Sequence, residues 1–431
     1  MELADAKERN AASAGTAADG PESETGSAGR PIWRNRQFML VLAGNIVSVF
    51  GDCFNGIALS LWILQTTGSA KQMAAVLITH MTVTILFGSL AGTVADRLDR
   101  RRLMLTADLF RAAVMCVLAY TLFVGNAPFA VMIGLVALSA GASLLQSPAF
   151  HASIVQLVGR ERLQQATGVI HLADNVARIS GLALAGVAVA AFGGFGALMI
   201  NAGAYLLCAM CVLAAGGFPS VRNDAGKQQT SLLADLRGGF AYIRQDRLTR
   251  SIVLLNPILI LFFMSSFMLI QVMAVTEWKA DPVTFGLIET CIPLGYMAGA
   301  GIILAFGSRL GRRGWWICGG MILLGPSFWA LSLVPSAWFG MPIILLNGLL
   351  FAFCSMLIQI ILRSEIRADM QGRIYGTLGA ITSIAPALGL AVSSAMADRW
   401  GVREVLGAQG AALLVVSLIV ASIMKPIRQY Q

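Results

Sequence analysis

An all-α membrane protein, with twelve transmembrane helices gathered in two pseudo-symmetric six-helix bundles, is the fold class this sequence predicts. Three observations lead there. The 431 residues are 57% hydrophobic and 12% charged, with a mean hydropathy of +0.74, more apolar than a water-soluble globule can be. Twelve mostly apolar runs each reach the roughly 20 residues that a helix needs to cross a bilayer. A polar break at 218–250 divides the runs six and six.

The N-terminal tail, 1–36, is rich in Ala, Gly and Ser and lacks the apolar core of a cleavable signal, so disorder is expected there. Span one, 37–64, carries Asn45, Ser48, Asp52 and Asn55 at i, i+3, i+7 and i+10, a single polar stripe around a carboxylate. Ionisable groups at membrane depth cost roughly 2.5 to 3.5 kcal/mol each on insertion scales. The stripe is therefore expected to face a cavity, where Asp52 either carries protons or is held by neighbouring helices as a structural carboxylate.

Span two, 73–93, runs into Asp96-Arg97-Leu98-Asp99-Arg100-Arg101-Arg102, a knot of charge before span three, 103–124. Asp108 and Arg111, two or three turns into span three, read mainly as support for that loop. Span four is 128–156. Span five, 166–191, holds His171, Asp174, Asn175 and Arg178; the i, i+4 spacing of Asp174 and Arg178 predicts a helical ion pair, structural or in contact with substrate and protons.

Span six, 194–217, completes the first bundle. Its Cys208-Ala-Met-Cys211, like Cys53, Cys116, Cys291, Cys318 and Cys354, lies in an apolar run, so packing thiols are expected rather than disulfides or a metal site. In the break, Leu232, Leu233, Leu236, Phe240 and Ile243 recur at helical spacing and predict an amphipathic helix on the membrane surface.

Span seven, 251–276, offers Phe262, Phe263, Met264, Phe267 and Met268 either to lipid or as a soft wall for bulky substrates. Ser265, Ser266 and Gln271 are its cavity candidates. Span eight, 284–306, places Glu289 about one and a half turns from its start, either as a cation-binding group or as an interfacial carboxylate. Spans nine to twelve, 315–334, 338–362, 374–397 and 405–424, complete the second bundle, 251–424, before a tail, 425–431. His80 and His151 have no clustered partners and receive no role.

The halves echo each other. Ala95-Asp-Arg-Leu-Asp-Arg-Arg-Arg-Leu103 aligns with Gly307-Ser-Arg-Leu-Gly-Arg-Arg-Gly-Trp315, 212 residues later. Such repeats predict a ligand site between the bundles near the midplane. A net charge of +9 in a soluble chain would suggest nucleic acid, but here placement matters more. About 25 of the 31 Lys and Arg fall in the tails and in the loops after even-numbered spans, which predicts both termini on the cytoplasmic side.

Gly92, Ala95, Asp96, Arg97, Arg100 and Arg101 match Gly-x-Leu-Ala-Asp-Arg-x-Gly-Arg-Arg, the loop between spans two and three in the major facilitator superfamily. The Asp-Arg-Leu-Asp-Arg-Arg-Arg form is similar to that of its macrolide-efflux type of drug:proton antiporter. Phe50-Gly51-Asp52, Ala107-Asp108-Leu109-Phe110-Arg111 and Gln371-Gly372-Arg373 resemble the same branch. The resemblance covers nearly all of the chain after residue 35 and implies the major facilitator fold. It also implies a cytoplasmic gate at Gly92, Asp96, Arg97, Arg100 and Arg101, with Asp96 engaging the start of span eleven. Two features depart from larger drug-antiporter families: 128–158 holds no arginine, and Gly181-Leu182 lacks the proline of their antiporter signature.

Together these features predict a secondary transporter of the inner or plasma membrane, not an enzyme and without a cofactor. It is expected to act as a monomer in the lipid bilayer, exporting a small amphipathic or hydrophobic substrate in exchange for protons. Symport, export of a siderophore or lipid, and a non-transporting sensor of the same shape are the alternatives.

Overall fold

The computed structural model describes residues 32–125, 128–159, 161–217, 244, 246–306, 311–365 and 368–423. The expected amphipathic linker helix and most of both tails lie outside the described residues. After a 3-10 turn at Ile32–Arg34, the chain forms α1 (Arg36–Thr67), α2 (Ala70–Arg97), α3 (Arg100–Val124), α4 (Phe129–Val158) and α5 (Leu163–Ala214). There follow α6 (Arg247–Thr276), α7 (Pro282–Phe306), α8 (Arg313–Leu333), α9 (Ala337–Glu365), α10 (Ala368–Trp400) and α11 (Val402–Ile423).

All eleven are long and apolar enough to cross a membrane. The 52 residues of α5 would extend about 78 Å at 1.5 Å per residue, far beyond a hydrocarbon core of about 30 Å. The helix breaks at Gly193, whose φ of 67° and ψ of −178° are not helical and suit a residue without a Cβ. Its two arms are spans five and six, which gives twelve crossings.

Local chemistry sets the helix ends. Asn35 accepts from the Phe38 amide at 3.1 Å, Asp99 from Arg102 at 2.8 Å and Asp246 from Thr249 at 2.7 Å, each satisfying an N–H that the helix start leaves open. Asp99, the second acid of the charged knot, thus starts α3.

The helix packing repeats between halves: α2 on α4 is matched by α7 on α9, α3 on α4 by α8 on α9, and α1 on α5 by α6 on α10. The bundles meet mainly where α5 packs on α7 and α2 on α10. At the first contact Gly186 faces Gly286. A Cβ on Gly186 would sit 3.1 Å from the Gly286 Cα, and one on Gly286 2.8 Å from the Leu182 carbonyl oxygen. Small residues allow this backbone approach.

The aromatic run of span seven is neither a lipid face nor a cavity wall throughout. Phe263 is buried and stacks on Phe351 of α9 at 3.8 Å between centroids and 14° between planes, and Met268 is fully buried. Those two side chains fill the second bundle's core, because α9 covers that side of α6. All seven cysteines are free.

Candidate functional site

A cavity of about 430 Å³ opens within the first bundle, with walls drawn from α1 to α5. Its polar lining comprises Asp52, Asn55, His80, Arg111, Arg178 and Tyr205, with serines from α1 and α4. A larger space, about 890 Å³, lies among α2, α3 and α4, but its lining holds no ionisable side chain. Of the two, the smaller cavity is the one lined by ionisable side chains. It lies inside one bundle, whereas the repeat pattern predicted a site between the two.

At its wall, Arg111 Nη2 lies 2.8 Å from Asp52 Oδ1, and Arg111 Nη1 donates to Gln146 Oε1 at 2.9 Å. The Tyr205 hydroxyl donates to the same Asp52 oxygen. The guanidinium carbon stands 4.0 Å above the Tyr205 ring, a cation–π contact. Four helix segments converge here: α1, α3, α4 and the second arm of α5. The carboxylate is held by a guanidinium and a phenol hydroxyl, and no other acid lines the cavity.

This placement corrects one expectation. Arg111 is buried and pairs with the span-one aspartate instead of supporting the arginine loop, because its long side chain reaches inward from α3. Asp108 is also fully buried, beside the Cys208 thiol, with no N–H or O–H donor on either oxygen. Neither residue belongs with the loop.

The other predicted residues divide among several places. Asn45 Nδ2 donates to Asp174 Oδ1 at 2.6 Å, so the ion pair expected from the Asp174 and Arg178 spacing is not formed. The cross-helix amide satisfies Asp174, and Arg178 lines the cavity. Ser48 is buried, His171 is exposed, and Asn175 Nδ2 donates to the His171 carbonyl of its own helix.

In the second bundle, Ser265 and Ser266 are fully buried around Gln409 of α11. Ser266 Oγ donates to Gln409 Oε1 at 3.0 Å, and Gln409 Nε2 donates to Ser265 Oγ at 3.1 Å. Glu289 is buried against the Gln271 side chain, with its Oε1 unpartnered. Ser265, Ser266, Gln271, Glu289 and Gln409 do not line the cavity.

The arginine loop is partly explained. Arg100 Nη1 donates to the Ala152 carbonyl at 3.1 Å, near the end of α4, and Arg101 Nη2 to the Leu213 carbonyl at 2.9 Å, at the end of α5. At the end of α5 the Arg101 cation meets the negative end of the helix dipole. Arg97 is exposed and Gly92 half-buried. The side chains of Asp96 and of residues 368–373, which the expected latch would bring together, lie outside the described residues.

Gln146, Tyr205 and Gln409 were not singled out by sequence, and His80, which was given no role there, lines the cavity. A polar residue at cavity depth was the available signal for His80. Tyr205 and Gln146 give none, since each also suits ordinary helix packing.

Twelve membrane crossings, paired half-bundles and a polar cavity enclosed by helices define a polytopic transporter of the major facilitator fold, not an enzyme. The chain belongs to the transmembrane secretion effector family, whose model matches residues 27–430. It is similar to the macrolide efflux protein A of Streptococcus pyogenes, 23% identical over 386 residues covering 89% of this chain and 95% of that one. It is also similar to the MFS-type transporter YfiS of Bacillus subtilis, 25% identical over 406 residues, 90% of this chain and 94% of that one. Among solved structures, a bacterial homologue of the human lysosomal transporter Spinster aligns at a TM-score of 0.73 and 12% identity, over 93% of this chain and 98% of that one.

Proposed function

We propose that this transporter exports small amphipathic or hydrophobic compounds in exchange for protons, by alternating access, from the inner or plasma membrane with both termini cytoplasmic. The observation that carries the reading is the Asp52–Arg111 pair on the cavity wall. Proton uptake by Asp52 removes the carboxylate charge and leaves the Arg111 cation uncompensated, so that a substrate meets a net positive charge in place of a neutral pair. Release of the proton restores it. One site thus links proton binding to substrate binding, which is what exchange requires.

The relative named for macrolide efflux supports the direction and the substrate class. A cavity of about 430 Å³ lies within the size range of small-molecule sites. Asp174, Arg178 and Glu289 are the further proton-coupling candidates. Among the substrate-contact candidates Asn45, Ser48, Asn55, His171, Asn175, Ser265, Ser266 and Gln271, Asn55 lines the cavity and is the one we retain for that role.

The test is flux in proteoliposomes with an imposed pH gradient, using a fluorescent amphipathic dye as probe. Dye moving out against its gradient only while protons move in supports exchange. Dye binding without flux would indicate a sensor, and dye and protons moving together a symporter.

A further inference from the structure

Asp398 lies two residues before the end of α10, where the negative end of the helix dipole disfavours a carboxylate. Its hydrogen-bond partners are in the other bundle. Ser69 Oγ donates to Asp398 Oδ2 at 2.9 Å, and the Ala70 backbone N–H donates to Oδ1 at 2.8 Å. Ser69 is the N-cap of α2 and Ala70 its first residue. The carboxylate therefore sits on the positive end of α2 and takes up an N–H without an intrahelical partner.

Because α2 and α10 are one of the two main helix contacts between bundles, this bond bridges the halves at the face opposite the Arg97–Arg102 loop. The sequence carries the same tripeptide at both faces. Ala397-Asp398-Arg399 ends α10, and Ala95-Asp96-Arg97 ends α2. The two helices run antiparallel, so each tripeptide stands at the face where the other helix begins.

We propose that Asp398 is a gate residue: its bridge to Ser69 and Ala70 holds the bundles together at the face opposite the arginine loop and breaks when the cavity opens to that side. The proposal rests on the alternating-access reading above. A carboxylate on a helix start is a discrete, breakable contact, and it contributes only while α2 and α10 stay in register. The second contact region, Gly186 on Gly286, is a close backbone packing contact.

Two substitutions isolate the bridge. Asp398→Asn removes the charge and keeps the shape. Ala70→Pro removes the donated N–H at a position where proline suits a helix start. Spin labels at Gln65 and Lys279, exposed on opposite bundles at this face, report its opening in the full chain in nanodiscs. Asp398→Asn is expected to raise the open-to-closed ratio about fivefold to thirtyfold. Ala70→Pro should raise it less, and the double variant should gain less than the two single effects combined.

Unchanged distances in both variants would overturn the gate. So would widening at both faces at once, which signals a loosened fold. A single distance in the wild type across pH and added dye would overturn alternating access itself, and the proposal with it.

Discussion

The Arg111 guanidinium and the Asp52 carboxylate lie 2.8 Å apart, but their surroundings are unequal: Arg111 is 5% exposed and Asp52 41%. Both line the cavity, but Arg111 is packed among α1, α3, α4 and α5 while Asp52 stands open to it. An ion pair placed across such a boundary has one member that tolerates loss of its partner and one that does not.

The stability of single variants should therefore be ordered. Asp52→Asn strands a buried guanidinium, for which breaking a fully buried pair costs about 3–5 kcal/mol. The exposure of Asp52 reduces that to about 1–3 kcal/mol. Arg111→Met leaves an aspartate that still has water and the Tyr205 hydroxyl, and should cost less. Thermal unfolding in detergent checks the order; greater damage from Arg111→Met would contradict it.

Contact between Gly186 and Gly286 leads to a second expectation. Gly286→Val would place methyl groups against the Leu182 carbonyl and the Gly186 backbone, costing about 1–3 kcal/mol by overpacking. Gly301→Val, in the same helix but with nothing within 4 Å of the added Cβ, should cost far less. The measurement is again the unfolding midpoint of each variant, and equal losses would show that the interface is not tight.

Helix count, pairing of halves and the placement of Asp52 on a cavity wall were legible because each depends on local pattern: run length, repeat spacing, a polar stripe of period 3.6. Partners were not. Position alone put Arg111 near the arginine loop, while its reach across α1 is set by packing that no helix period encodes. The Asp174–Arg178 spacing permits an ion pair, yet Asn45 on another helix takes the carboxylate first. Ser265 and Ser266 looked like cavity residues because only the fold brings Gln409 against them.

Orientation is testable without a substrate. In a cysteine-free background, a cysteine replacing Lys71, exposed at the start of α2, should react with an impermeant maleimide in intact cells. One replacing Arg102, exposed at the start of α3, should not. The reverse labelling would invert the topology that the Lys and Arg distribution implies.

A proton carried by Asp52 would set the scale of what the proposed exchange can achieve. About 100 mV and one pH unit supply roughly 2.3 and 1.4 kcal/mol, together near a 500-fold gradient of a neutral substrate per proton. For a monovalent cation the electrical terms cancel and about tenfold per pH unit remains.

Asp52→Asn fixes the neutral form, so proteoliposomes holding it should bind and equilibrate the dye but no longer concentrate it when a pH gradient is imposed. Asp52→Glu, which keeps a titratable group, should retain part of the uphill flux. The decisive measurement is dye accumulation by Asp52→Asn vesicles under that gradient. No accumulation above equilibrium is the expected result, and accumulation at the wild-type level would show that Asp52 does not carry the proton.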